Sequence, residues 1–117
     1  MIVANTLKTR IEEAARIRVV RKAEFQMGDR LLIETRNSSY TITSLGNGLI
    51  RVEGGWFDRK GLGPVTTTIT GCTWGGTAIH SDIAAGDGLF LEFGNRVVTT
   101  RIRRFHHIPA RPSDSVH

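Results

Sequence analysis

Gly88-Leu89-Phe90-Leu91-Glu92-Phe93-Gly94-Asn95-Arg96-Val97-Val98-Thr99-Thr100-Arg101-Ile102-Arg103-Arg104-Phe105 holds two β-type runs joined by Gly94-Asn95. Gly and Asn both accept the positive φ of a two-residue hairpin turn. Side chains alternate along a strand, so Val98, Thr100 and Ile102 share one face, with Arg104 at its end. Val97, Thr99, Arg101, Arg103 and Phe105 share the other. The pattern predicts a half-buried hairpin with one apolar face and an arginine ladder outside.

The rest of the chain supports a β architecture. Its 117 residues suit one domain, and a chain this long can bury a self-sufficient core. Thirteen glycines against three prolines favour many tight turns over a helix bundle. Arg30–Arg36 reads as a strand with Leu31 and Ile33 on one face. Asn37-Ser38 is a turn signal. Ser39–Ser44 follows with Tyr40, Ile42 and Ser44 aligned, then a Gly46-Asn47-Gly48 loop, then Leu49–Glu53 with Ile50 and Val52 inward. Val65–Thr70 is a strand by β-propensity, and Ala78-Ile79-His80 a short one. Ser81–Gly88 reads as a connection, its Ala84-Ala85-Gly86-Asp87 as a turn. Gly75-Gly76 beside Trp74 marks a bulge or a close backbone approach under an aromatic ring.

One helix is expected, over about 5–18. Leu7, Ile11, Ala14 and Ala15 make a short apolar stripe, capped by Asn5 or Thr6. Such a short helix needs a surface to pack on, either an open barrel end or the same helix of a second copy. Leu7 and Ile11 are therefore the self-association candidates. Residues 111–117 read as a flexible tail, leaving 1–110 as a single β-rich domain.

Net charge is +5. Arg16, Arg18, Arg21 and Lys22 lie early, and Arg101, Arg103, Arg104 and Arg111 late, beside His106 and His107. Such a surface keeps a protein soluble and attracts phosphates or an acidic partner. Small β-barrels bind single-stranded nucleic acid through a basic groove and stacking aromatics. The candidates for that role are Arg101, Arg103, Phe105, Trp56, Phe57 and Trp74. Trp56 and Phe57 sit in Gly54–Pro64, which carries four glycines and a proline and reads as a functional loop or as a plug at one end of a barrel.

Catalysis is not expected. Cys72, His80, Asp82 and the His106-His107 pair are the only candidates, and none falls in a pattern specific to a nucleophile or acid–base site. Adjacent histidines on a strand point to opposite faces and do not chelate together. No phosphate loop or zinc-ligand spacing occurs, so no metal or cofactor is expected. Cys72 is the sole cysteine, which suits a reducing compartment. Met1–Thr6 lacks signal-peptide character, and no apolar run reaches membrane-spanning length. A cytoplasmic location and no membrane partner are expected.

Four phrases occur in order: Thr35-Arg36-Asn37-Ser38-Ser39-Tyr40, Glu53-Gly54-Gly55, Gly71-Cys72-Thr73-Trp74-Gly75-Gly76 and Arg96-Val97-Val98-Thr99-Thr100-Arg101-Ile102-Arg103. Over roughly residues 30 to 105, the chain resembles a group of short bacterial proteins of unknown function. The resemblance implies a bacterial origin and a free-standing β domain, and brings no activity or cofactor.

The sequence thus predicts a mainly β protein, a small antiparallel barrel or sandwich of six to eight strands with one N-terminal helix. The expected role is a non-catalytic binding or assembly module, with a homo-oligomer, nucleic acid or an acidic protein as partner. Its alternative is a basic barrel that binds single-stranded nucleic acid.

Overall fold

The computed structural model describes residues 17–76 and 78–110. Among these residues the fold is mainly β, with eight strands paired antiparallel throughout. In chain order they are β1 (Val19–Arg21), β2 (Arg30–Thr35), β3 (Ser39–Gly46), β4 (Leu49–Gly54), β5 (Val65–Thr73), β6 (Ile83–Gly86), β7 (Phe90–Phe93) and β8 (Ile102–Ile108). A 3-10 turn spans Lys22–Glu24, and a five-residue helix, α1, spans Gly55–Arg59. Six strands form a sheet in the order β7-β5-β4-β3-β2-β8, curled as a half-barrel, and β1 pairs with β6 beside it. No helix of the described residues is long and apolar enough to cross a membrane.

The meander β2–β3–β4 follows from side-chain alternation. Leu31 and Ile33, then Tyr40, Ile42 and Ser44, then Ile50 and Val52 are all buried, as their period of two predicts. Asn47 (φ 54°) and Gly48 (φ 81°) make the two-residue β3–β4 turn, both left-handed, which matches the twist of the flanking strands.

The hairpin that opens the sequence reading forms differently. Neither Gly94 nor Asn95 has a positive φ; the left-handed residue is Arg96 (φ 73°). The Arg96 amide donates to the Phe93 carbonyl at 2.9 Å, and the Phe93 amide donates to Val97 O at 2.9 Å. Gly94 is needed for space, since a Cβ there would lie 2.1 Å from Thr68 Oγ1. The chain then runs irregularly beside β7, with Thr99 N–H donating to Leu91 O and Ile102 N–H to Leu89 O, each at 2.8 Å.

Strict alternation ends in β8. Arg104 lies opposite Glu34 and Ile102 opposite Thr35, so Arg103 is an extra residue in a bulge. Arg103 and Arg104 both face solvent, and Phe105 turns into the core.

Residues 81–88 are also more ordered than a connection. Ile83–Gly86 is a strand, and all four residues are buried. Its small residues fit tight contacts: a Cβ on Gly86 would lie 2.6 Å from Leu89 Cδ1 and 3.1 Å from Val19 Cγ1. Ala78–His80 makes no strand, only a bridge between His80 and Cys72. The expected N-terminal helix lies outside the described residues except for Ile17 and Arg18, which are not helical. Residues 111–117 also lie outside them.

Candidate functional site

The inner face of the β3–β4 hairpin and the chain between β1 and β2 enclose a cleft of about 650 Å3. Ser44, Ile50 and Ile69 line it from the sheet, and all three are buried. Phe25 and Met27 form one wall, and Leu49 stands on the other. Met27 is 69% exposed and Leu49 44% exposed. Gln26 and Asn47 add uncharged polar groups, and Lys22 carries the only charge of the lining.

Asp29 holds the Phe25–Met27 wall in place. Its carboxylate accepts from Ala110 N–H at 2.7 Å and from Gln26 N–H at 3.0 Å, and meets His107 Nε2 at 2.8 Å. The backbone ties the same turn to β3: Gly28 N–H donates to Ser44 O and Ser44 N–H to Asp29 O, each at 2.9 Å. Phe25 packs edge-on to His107, ring centroids 6.1 Å apart. Burial pushes the Asp29 carboxyl up, but the bonds from Ala110, His107 and Gln26 outweigh it and hold it below the usual carboxylate range. By composition Gln26-Met27-Gly28-Asp29 is a turn, and the sequence signal for the cleft is the large apolar Met27 within it.

Two of the residues singled out for nucleic acid, Phe57 and Phe105, lie in the core. Phe57 is fully buried, its ring 5.4 Å from that of Phe93 and 6.2 Å from that of Tyr40. Gly54–Pro64 therefore sends one aromatic ring into the core from α1. A Cβ on Gly55 would lie 2.3 Å from the Tyr40 ring, so only glycine lets the helix settle there. Trp56 is half-buried against the core, with Lys60 Nζ 5.9 Å from its ring centroid. Trp74 is also half-buried, and its indole Nε1 has no partner among the described residues.

Phe105 is a core residue, with the Arg18 guanidinium 4.3 Å from its ring centroid. Arg101 and Arg103 are both exposed, on either side of the buried Ile102. Arg101 donates to Gly88 O at 2.9 Å and lies 4.7 Å from the Phe90 centroid, whereas Arg103 stands beside Arg104 on the bulge. Leu7 and Ile11 lie outside the described residues.

The residues weighed for catalysis lie apart in role. Cys72 is buried, and burial pushes its thiol up to about 12, which makes the nucleophilic thiolate scarce near neutral pH. Asp82 pairs with Arg21 at 2.7 Å. His106 is exposed while its neighbour His107 turns to Asp29. Among the described residues no three His, Cys, Asp or Glu side chains are grouped to hold a metal ion. Comparison with family models, curated proteins and solved structures gave no match.

Proposed function

We propose that this protein is a non-catalytic binding module, and that the cleft between Met27 and Leu49 takes a small amphiphile with an anionic end. The carrying observation is an apolar cleft of about 650 Å3 whose single charged lining residue is Lys22. That volume lies in the range of small-ligand sites, which are mostly apolar with a few orienting polar groups. Lys22 then selects the sign of the head group.

Calorimetric titration with dodecanoate, dodecanol and dodecyltrimethylammonium tests this reading. The expected order is dodecanoate tightest and the cation weakest, with Lys22→Gln erasing the preference for dodecanoate over dodecanol. Equal affinity for all three in the parent protein contradicts the role given to Lys22. No binding of any of them contradicts the cleft itself.

The scaffold is read here as a small barrel with an irregular seam. The hydrogen bonds that link β7 to Val97 and Thr99, and Ile102 at the start of β8 to Leu89 just before β7, support that reading, since they run between the two outer edges of the six-stranded sheet.

Assembly through the same rim is the second reading. Met27 and Leu49 both stand exposed on the lining of the cleft, and exposed apolar rims also serve self-association. Light scattering coupled to size exclusion separates the two. A dimer lost in Leu49→Glu supports assembly, and a monomer at all concentrations excludes it.

A further inference from the structure

We propose that a second cleft, between the end of β2 and the start of β8, is a phosphate-binding site built from Arg36, Arg103 and Arg104. It lies at the opposite end of β2 from the apolar cleft, about 17 Å away at 3.4 Å per residue. The two sites are independent, and failure of one leaves the other standing.

The cleft encloses about 470 Å3 and is lined by Glu34, Thr35, Arg36, Arg103 and Arg104. Three guanidinium groups thus face one carboxylate. Glu34 is already engaged, its Oε1 accepting from Arg104 Nε at 2.7 Å. The guanidinium groups of Arg36 and Arg103 have no partner among the described residues. A fourth arginine, Arg59 at the end of α1, reaches the β2–β3 turn and donates to Ser38 Oγ at 2.8 Å.

The bulge produces this concentration of charge. In a regular strand Arg103 and Arg104 would face opposite ways. Two residues set against one partner position turn both outward at the same edge. Like charges held this close repel one another, and a bound anion relieves the repulsion. Guanidinium forks match the oxygens of a phosphate in pairs, and several around one group neutralise a dianion.

The shared chemistry is a phosphate group, either of a small phosphate compound or of a nucleic-acid backbone. Phe57 and Phe105 are in the core, so no stacking platform built on them accompanies the arginines. Binding should therefore be indifferent to base identity.

Pyrophosphate titrated calorimetrically and a fluorescent ten-residue oligothymidylate followed by anisotropy test the site on the full chain. The variants are Arg36→Ser/Arg103→Ser, Glu34→Gln, and Arg51→Ser as a control on the outer face of β4. At least one ligand should bind the parent protein. The double variant should lose at least about tenfold and flatten the salt dependence by about two counterions. Glu34→Gln should bind more tightly, and Arg51→Ser should stay within about twofold.

Binding of pyrophosphate alone identifies a small phosphate, and binding of the oligonucleotide alone identifies a backbone; each supports the site. Binding of neither ligand overturns it. So does an Arg51→Ser loss as large as that of the double variant, which would mark only diffuse attraction to a basic surface. Circular dichroism confirms that the variants keep the parent fold.

Discussion

Asp29 Oδ2 meets His107 Nε2 at 2.8 Å and so joins the turn before β2 to the far end of β8, 78 residues away along the chain. With the bonds it accepts from Ala110 and Gln26, the carboxylate ties the wall carrying Phe25 and Met27 to the end of β8 as well as to β3. Asp29→Ala removes the acceptor of two amides and of His107. Each orphaned partner costs about 1 kcal/mol, so urea unfolding should show a loss of about 2–3 kcal/mol. The cleft should bind dodecanoate several-fold more weakly before the protein unfolds. Unchanged stability and unchanged binding would show that Asp29 positions nothing.

The same carboxylate sets a direction with pH. Its folded-state value lies below the unfolded one, so the stabilisation is complete above the unfolded value of about 3.9 and is lost as pH falls through the folded value. Melting temperatures from pH 6 down to pH 2 should therefore fall in the acid limb. His107→Ala removes one of the groups that lower the value and should shift the Asp29 titration upward, as read by carboxyl NMR. A titration that stays put would remove His107 from the interaction.

Phe57 closes the side of the sheet where α1 sits. Its ring is fully buried among Tyr40, Phe93 and Trp56. Phe57→Ala should cost about 3–5 kcal/mol. Gly55→Ala should cost about 2–4 kcal/mol, because the new Cβ meets the Tyr40 ring and the residue sits at φ 52°. A Phe57→Ala variant of parent stability would mean that α1 is an exposed loop after all.

Cys72 should be unreactive in the native protein. It is buried within β5, with its thiol raised. Labelling by a thiol-reactive disulfide should proceed at the rate of unfolding and become immediate in denaturant. Rapid labelling of the folded chain would contradict the burial of that strand.

The meander was legible because Leu31, Ile33, Tyr40, Ile42, Ile50 and Val52 recur at a period of two, interrupted only by the apolar Leu32 and Leu49, and Asn47-Gly48 carries the chemistry of its turn. Sequence reasoning failed where one residue breaks the period. Arg103 is the extra residue of a bulge, and a pattern of two cannot place it; the error moved Phe105 from the core to the surface. Ile83–Gly86 was missed for a different reason. Its Gly86 leaves no room for a Cβ beside Leu89 and Val19, a demand of tertiary contact rather than of turn chemistry. The apolar cleft was the least legible feature. It is made by Lys22–Met27 meeting Gly46–Ile50, segments that no local pattern relates.

Met27 offers the most direct measurement of the proposed cleft. The chain has two methionines, Met1 and Met27, so a sample labelled at the methionine methyls with carbon-13 gives one probe in the cleft and one outside the described residues. Titration with dodecanoate should move the Met27 resonance in a saturable way, and Leu49→Glu should abolish the change. A Met27 resonance that stays fixed while dodecanoate binds elsewhere, or that never responds, would contradict the assignment of this cleft as the binding site.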